Sequence, residues 1–323
     1  MERLKVLFLP QLTLTDDCQN AAVAAIGDSH DLAIYDVERP IPEQFAGRTV
    51  VIDTGGTVGT HEMMDAATDT KLWQVMGNGL DHVDVDYMKS KGFIVCNCAG
   101  ELSSVALAEC AMMFVLMLAR SYPAARRNFD AGVLYKPPGY GLEGKVLGII
   151  GLGASGVEFA RRAKAFGMRI QAIDIREIEP EILDEIQPEL IAGPDELDRV
   201  AAAADFLSVH LHLTDATRHI IDGRRIGLMK PDACIINVAR GALVDEEAMY
   251  DALLNGRLGG AGLDVFSNEP TDPSLPVYQL PNVVVTPHVS GGTDLTLRLR
   301  AEAVAENVDR IAQGLELLSR VDG

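Results

Sequence analysis

The fold class predicted by this sequence is α/β, with two doubly wound parallel-sheet domains, and three observations predict it. Short apolar, strand-like runs alternate with helix-like segments along most of the chain. These runs form two series, and 323 residues suffice for roughly two cores. The second series opens on a glycine-spaced turn, GLGASG, set between an apolar run and a helix-like one.

The first series reads LKVLFLP, DLAIYDV, TVVIDTG, KLWQVMG and FIVCN. At the amino terminus, MERLKVLFLPQ carries Glu2 and few apolar residues before Pro10, which predicts a strand and no secretory leader. The run VALAECAMMFVLMLA, residues 105–119 with Glu109 inside it, is too short and interrupted to span a membrane; it predicts a helix buried between protein surfaces. YKPPGYGLEGK, 135–145, is a surface loop. The second series follows as KVLGIIG (145–151), RIQAIDI (169–175), DFLSVHL (205–211), CIINVA (234–239), GAGLDVF (260–266) and NVVVTPH (282–288). Six strands are what a complete dinucleotide-binding domain of the Rossmann type requires. After residue 292 only the helix-like TDLTLRLRAEAVAENVDRIAQG and a short tail remain. Returning that helix to the first domain gives a discontinuous first domain, 1–100 plus 293–323, and a cofactor domain at 101–292, with Gly100 and Gly291–Gly292 at the crossings.

Composition narrows the function. Hydrophobic residues make up 48% and charged residues 23%, the profile of a soluble globular protein. A net charge of −19 repels nucleic acid and anionic lipid, which argues against either as a partner. An anionic substrate then needs a local cluster of positive charge. Five cysteines, an odd number, predict reduced thiols in a cytoplasm. Cys96 and Cys98 form a CxC pair with no ligand set nearby, so no metal site is expected.

Gly151, Gly153 and Gly156 have GxGxxG spacing, with a strand before them and a helix after. That context suits a tight turn, phosphate approach and strand–helix packing, with free N–H groups at the helix start for a pyrophosphate. Asp174 ends the next strand 18 residues after Gly156. A carboxylate there accepts from a ribose diol and repels a 2′-phosphate, so NAD is favoured and NADP is less so. Arg176, two residues on, softens that exclusion.

The stretch ACIINVARGALVDEEAM, 233–249, contains a strand fit for burial that ends by delivering Arg240. Asp264 and Glu269 follow the fifth strand of the series, and His288 ends the sixth. Parallel sheets bind ligands at the carboxyl ends of their strands, so these groups are delivered to one crevice. A guanidinium matches a carboxylate and polarises a carbonyl. An imidazole exchanges protons near neutral pH, and a carboxylate beside it fixes the ring and favours the imidazolium. Together they suit hydride transfer to a carbonyl next to a carboxylate. His210 ends the third strand, where it either flanks the cofactor or fills the core; His212 is read as a surface residue, and His30, His61, His82 and His219 as structural.

GIIGLGASG, NVARGALVDEEA, GLDVFSNEP and TPHVSGG occur in this order, with GNGLDHVDVD (77–86) and LEGKVLGIIG (142–151) upstream. In these motifs, over nearly its whole length, the chain resembles the D-isomer-specific 2-hydroxyacid dehydrogenases. The resemblance implies a Rossmann NAD-binding domain inserted in a flavodoxin-like substrate domain, with substrate in the cleft between them. It implies Arg240 as the substrate-binding arginine, Glu269 as the histidine-paired acid and His288 as proton donor and acceptor. Backbone amides at Asn78 and Gly79 would hold the substrate carboxylate. Ala154, Ser155, Asp174, Val238, Ala239 and Asp264 would contact NAD, with His210 and Gly291 at the edge of the cofactor site. Thr54–Thr57 and Met76 would line the substrate pocket. The family is usually dimeric through the cofactor domain, which suits the helix from 101 and an arm at 120–140. One departure is CAGELSSVALAE, 98–109, which lacks the asparagine that often stands there. The expected activity is NAD-dependent, reversible reduction of small 2-keto acids to D-2-hydroxy acids. The alternative is a non-enzymatic NAD(H)-sensing, co-repressor-like interaction protein, against which the presence of all three chemical residues weighs.

Overall fold

The computed structural model describes residues 2–10, 17–54, 59–81 and 83–321. Residues 55–57 of the expected pocket lining and His82 therefore lie outside the described residues. The chain forms two compact units, one running to Leu102 and resuming at Gly292, the other Ser103–Gly291.

Among the described residues the first unit holds a five-stranded sheet: β1 (Lys5–Leu9), β2 (Asp31–Ile34), β3 (Val50–Asp53), β4 (Leu72–Val75) and β5 (Ile94–Cys96). The order is β2-β1-β3-β4-β5 and every pairing is parallel. Alternate residues feed two cores. Val6, Phe8, Val50, Ile52 and Leu72 face one side, and Leu7, Leu9, Val51, Trp73 and Val75 the other. Burial on both faces is why these strands read as continuous apolar runs. The Asp294–Gln313 helix covers the first face through Ala301, Val304 and Val308. Asn307 fixes its seating, donating to Gln74 Oε1 (2.8 Å) and the Leu318 carbonyl (3.0 Å) while accepting the Leu318 amide (2.8 Å).

The second unit holds β6 (Val146–Ile150), β7 (Arg169–Ile173), β8 (Leu190–Ala192), β9 (Phe206–Val209), β10 (Cys234–Asn237), β11 (Gly260–Leu263) and β12 (Val283–Val285). Their order is β12-β11-β10-β9-β6-β7-β8, again wholly parallel. Six strands were expected here, and the structure has seven among the described residues. The extra one, β8, is three residues long, lies at the sheet edge and pairs only with β7, so it leaves no periodic trace in the sequence. The Glu101–Ala119 helix is buried along part of its surface, packing Ala108, Ala111, Phe114 and Val115 with Leu147, Ile149 and Ile236.

Strand order reverses between β6 and β9, and the glycine turn sits at that switch point. Gly151 has φ +94°, and a Cβ there would meet the His210 carbonyl oxygen at 2.4 Å. At Gly156 a Cβ would meet the Gly151 oxygen at 2.2 Å. The turn therefore closes only on glycine at both positions. His210 locks it from the β9 side: its amide donates to Ile150 O (2.7 Å), and its ring lies 3.0 Å from Ser155 Oγ and 2.9 Å from Ser208 Oγ.

Burial holds the His210 imidazole down to about 4, from 6.5. Between those values the unfolded chain takes up a proton that the folded chain refuses, so stability present above pH 6.5 is lost as pH falls toward 4. The loss should be roughly 2–4 kcal/mol. Melting curves of the unmodified protein and His210→Asn from pH 7 to 4 should converge toward acid; a gap constant with pH would show that His210 carries no such penalty.

Candidate active site

Arg240 follows β10 in extended geometry and starts the short 3₁₀ turn Gly241–Leu243. Its presentation depends on Asn237, a buried polar residue in an apolar strand. The Asn237 side chain accepts the Ala239 amide (3.1 Å) and donates to the Arg240 carbonyl (2.9 Å), folding the strand exit so that the arginine leaves the sheet. Arg240 Nη1 donates to the Ala239 carbonyl at 2.8 Å. Gly241 lets this turn press against the exit of β11: a Cβ there would lie 2.0 Å from the Phe266 carbonyl carbon.

That β11 exit carries Glu269. One carboxylate oxygen accepts the Phe266 amide (2.9 Å), and the other lies 2.6 Å from His288 Nδ1. Burial pushes the Glu269 carboxyl up, but the bonds from His288 and the Phe266 amide, with the His288 and Arg240 charges, outweigh it and hold its pKa below the usual carboxylate value. An ionised Glu269 only accepts, so His288 Nδ1 carries the proton and donates. Nε2 is left as the ring nitrogen available for exchange. The Arg240 field is thus felt at the same carboxylate that binds His288, and the three groups form one electrostatic unit. Glu246 braces the turn, accepting the Ser267 amide at 2.8 Å; burial raises its carboxyl above the ordinary value.

His288 has φ +56°, a left-handed conformation uncommon for a side chain of this size. Asp264 imposes it. The fully buried Asp264 carboxylate accepts from the Thr286 hydroxyl (2.5 Å) and the Val289 and Ser290 amides (2.8 Å each). Its own carbonyl accepts the His288 amide at 2.7 Å. The side chain expected to touch NAD is therefore occupied in fixing the loop that presents the histidine. Val238 and Ala239 are buried, their side chains in the two cores of this unit.

The glycine turn has the shape a dinucleotide needs. Gly153 caps the helix Ala154–Ala165, and a Cβ there would meet nothing within 4 Å, which leaves a cradle open at the helix start. Ala154 and Ser155 form the first residues of that helix. Asp174 Oδ2 accepts the Leu152 amide at 2.7 Å, tying the strand end to the turn. Arg176 folds back on the same carboxylate (Nε to Oδ1, 3.1 Å) and reaches the Leu152 carbonyl (3.0 Å). Burial pushes the Asp174 carboxyl up, but the Arg176 and Leu152 bonds prevail and lower its pKa.

Asn78 and Gly79 belong to the first unit. The Asn78 side chain donates to the Cys98 carbonyl (3.2 Å), and Asn97 donates to the Asn78 carbonyl (2.8 Å). The Asn78 and Gly79 amides donate to no acceptor among the described residues. Met76, expected as pocket lining, is 3% exposed and packs in the core instead. Leu102, in the segment that lacks the asparagine, also packs against that core. His30 is buried and bound to Asp309 (2.9 Å), and His61 stacks on Tyr87 with 3.8 Å between centroids. Asn237, Thr286 and Glu246 carry no expected role in the sequence, where a lone Asn in an apolar run is the one visible trace.

Residues 112–290 match the family described as D-isomer specific 2-hydroxyacid dehydrogenase, NAD binding domain. The D-3-phosphoglycerate dehydrogenase of Methanocaldococcus jannaschii is 34% identical over 308 residues, which are 94% of this chain and 58% of that protein. The chain thus spans little more than half the length of that relative. The hydroxypyruvate reductase of Thermotoga maritima is 38% identical over 248 residues, 76% of this chain and 78% of the other. A solved D-lactate dehydrogenase from Aquifex aeolicus, complexed with NAD and lactic acid, is similar with a TM-score of 0.85 and 26% identity over 99% of each chain. Relatives named as dehydrogenases and reductases favour an enzyme over the sensing alternative. The chain belongs to the D-isomer specific 2-hydroxyacid dehydrogenase family, and its second unit is that family's NAD binding domain.

Proposed function

We propose that this protein catalyses the NAD-dependent, reversible reduction of small 2-keto acids to D-2-hydroxy acids. The observation that carries the proposal is the 2.6 Å contact between His288 and Glu269, at a carboxylate that also feels the Arg240 charge. When bound, NADH supplies the hydride. Arg240 pairs with the substrate carboxylate and draws electron density toward the ketone oxygen. His288 delivers its Nε2 proton to that oxygen as negative charge develops, and Glu269 stabilises the imidazolium beforehand and holds the ring plane. In the oxidative direction the neutral imidazole accepts the hydroxyl proton. The amides at Asn78 and Gly79, which donate to no acceptor among the described residues, are proposed as further donors for the carboxylate.

NADH oxidation over glyoxylate, hydroxypyruvate, pyruvate, phenylpyruvate and 2-ketoisocaproate tests the reaction; no turnover on any of them would reject it. On the best substrate, His288→Ala and Arg240→Ala should each lower kcat/KM by about 10²–10⁴ with NADH affinity nearly unchanged. Retention of full rate by either variant would remove that residue from the mechanism.

The NAD preference is proposed to rest on Asp174, whose charge opposes a 2′-phosphate. Asp174→Asn keeps an acceptor for the Leu152 amide and leaves Arg176 unpaired, so the NADPH/NADH ratio of kcat/KM should rise on the order of tenfold. An unchanged ratio would place the discrimination elsewhere.

The partner proposed is a second copy of the chain, docked through the second unit. The arm after the Glu101–Ala119 helix leaves Phe129 (67%), Leu134 (61%) and Tyr135 (98%) open to solvent, an apolar cluster suited to burial in an interface. Sedimentation should show a dimer that Phe129→Glu/Tyr135→Glu converts to monomer. An unmodified protein sedimenting as one chain would refute the pairing.

A further inference from the structure

Arg300 is an internal cation that none of the roles above uses. It lies on the Asp294–Gln313 helix of the first unit. Its Nε is sealed from solvent and has no hydrogen-bond partner among the described residues. The titratable groups facing it are the thiols of Cys98 and Cys18. Burial lowers its pKa from the ordinary arginine value and the two thiols pull the other way, yet a guanidinium stays charged across the pH range in which proteins work. Two positions earlier, Arg298 points outward and pairs with Glu302 at 3.1 Å, the arrangement usual for an arginine on a solvated helix face. Arg300 as a whole is partly buried, and a sealed guanidinium N–H left unmatched is costly to a fold, a cost that hydrophobic residues of similar volume would relieve.

What the cation faces gives it a use. The Cys98 amide donates to the Gly77 carbonyl (2.9 Å), and the Cys98 carbonyl accepts the Asn78 side chain (3.2 Å). Cys18 Sγ lies 3.7 Å from Met76 Sδ. Both thiol residues before Arg300 are therefore bonded directly to the 76–78 stretch, where the Asn78 and Gly79 amides donate to no acceptor among the described residues. We propose that Arg300 is a specificity-determining residue, an internal positive charge behind the Gly77–Gly79 loop that raises its affinity for the substrate carboxylate without touching the substrate. This inference rests on the assignment of that loop to the carboxylate in the proposed function. Through a partly screened interior, a fixed charge acts over a residue layer and favours carboxylate-bearing ketones over neutral ones. Because Arg300 is partly buried with its Nε sealed, its effect is damped less by salt than that of a surface lysine.

The test compares Arg300→Met and Arg300→Lys with the unmodified protein, using the best 2-keto acid of the panel, oxalate as a non-reacting carboxylate probe, and NADH binding by fluorescence. Arg300→Met should raise KM for the keto acid and the inhibition constant of oxalate roughly three- to tenfold, with kcat within about twofold. NADH affinity should not change, Arg300→Lys should retain most of the effect, and the preference for the keto acid over its neutral amide should narrow in Arg300→Met alone. The melting temperature of Arg300→Met should hold or rise, whereas a merely structural arginine would lower it. Unchanged KM and oxalate inhibition in Arg300→Met, or equal losses in the Met and Lys variants, overturn this inference while the proposed reaction stands. An unmodified protein that reduces no 2-keto acid overturns both. Failure of both Arg300→Met and Arg300→Gln to fold would assign the arginine to structure and also overturn it.

Discussion

The buried carboxylate of Asp264 is the interaction on which the chemistry depends. It gathers the exits of two neighbouring strands: Thr286, Val289 and Ser290 bind its oxygens, and its main chain bonds to Asn237 and His288. Three parallel strands are thereby tied at one level, and the groups they deliver share a frame. The left-handed backbone at His288 persists because these bonds over-determine it. Without that fixture the imidazole would be a loop side chain with ordinary rotational freedom, and the bond to Glu269 would have to be formed against that freedom.

Electrostatics adds a second layer. A chain of net charge −19 disfavours anions at long range, so an anionic substrate has to be recovered by local cations. Arg298 and Arg224 are paired on long arms with Glu302 and Asp198 at the surface, so neither supplies such a cation. Glu269 keeps company with the His288 ring and the Arg240 charge, and both hold its carboxyl below the usual carboxylate value.

Much of this was legible before any coordinates, and the divide follows sequence distance. The five strands of the first sheet announce themselves because both faces are buried, which writes each as an unbroken apolar run. GxGxxG and Asp174 are legible because turn, helix and acidic strand end are close in the chain. Strand β8 is not, since three residues at an edge carry no period. Glu269 and His288 are nineteen residues apart, and it is the delivery of both to one crevice by neighbouring strand ends, with the resemblance beside it, that pairs them in the sequence. Asn237 stood out as polar in an apolar strand, but which backbone groups it satisfies is set by the turn it folds. Met76 reads like a pocket residue and is a core residue, because only packing distinguishes them. Arg298 and Arg300 look alike on paper; the helical pitch sends one into solvent and the other inward.

The first unit is made from both ends of the described chain, and this has a consequence for its birth on the ribosome. Val6 and Phe8 emerge before any of the other unit, yet Ala301, Val304 and Val308, which pack in the same core, are translated only after the whole of it. The inserted unit has all its strands in hand sooner and can become native while the nascent first sheet still shows one greasy face. For the duration of that delay the growing polypeptide is a client for whatever chaperone shields bare β-structure, and the closing helix is the step that ends the dependence.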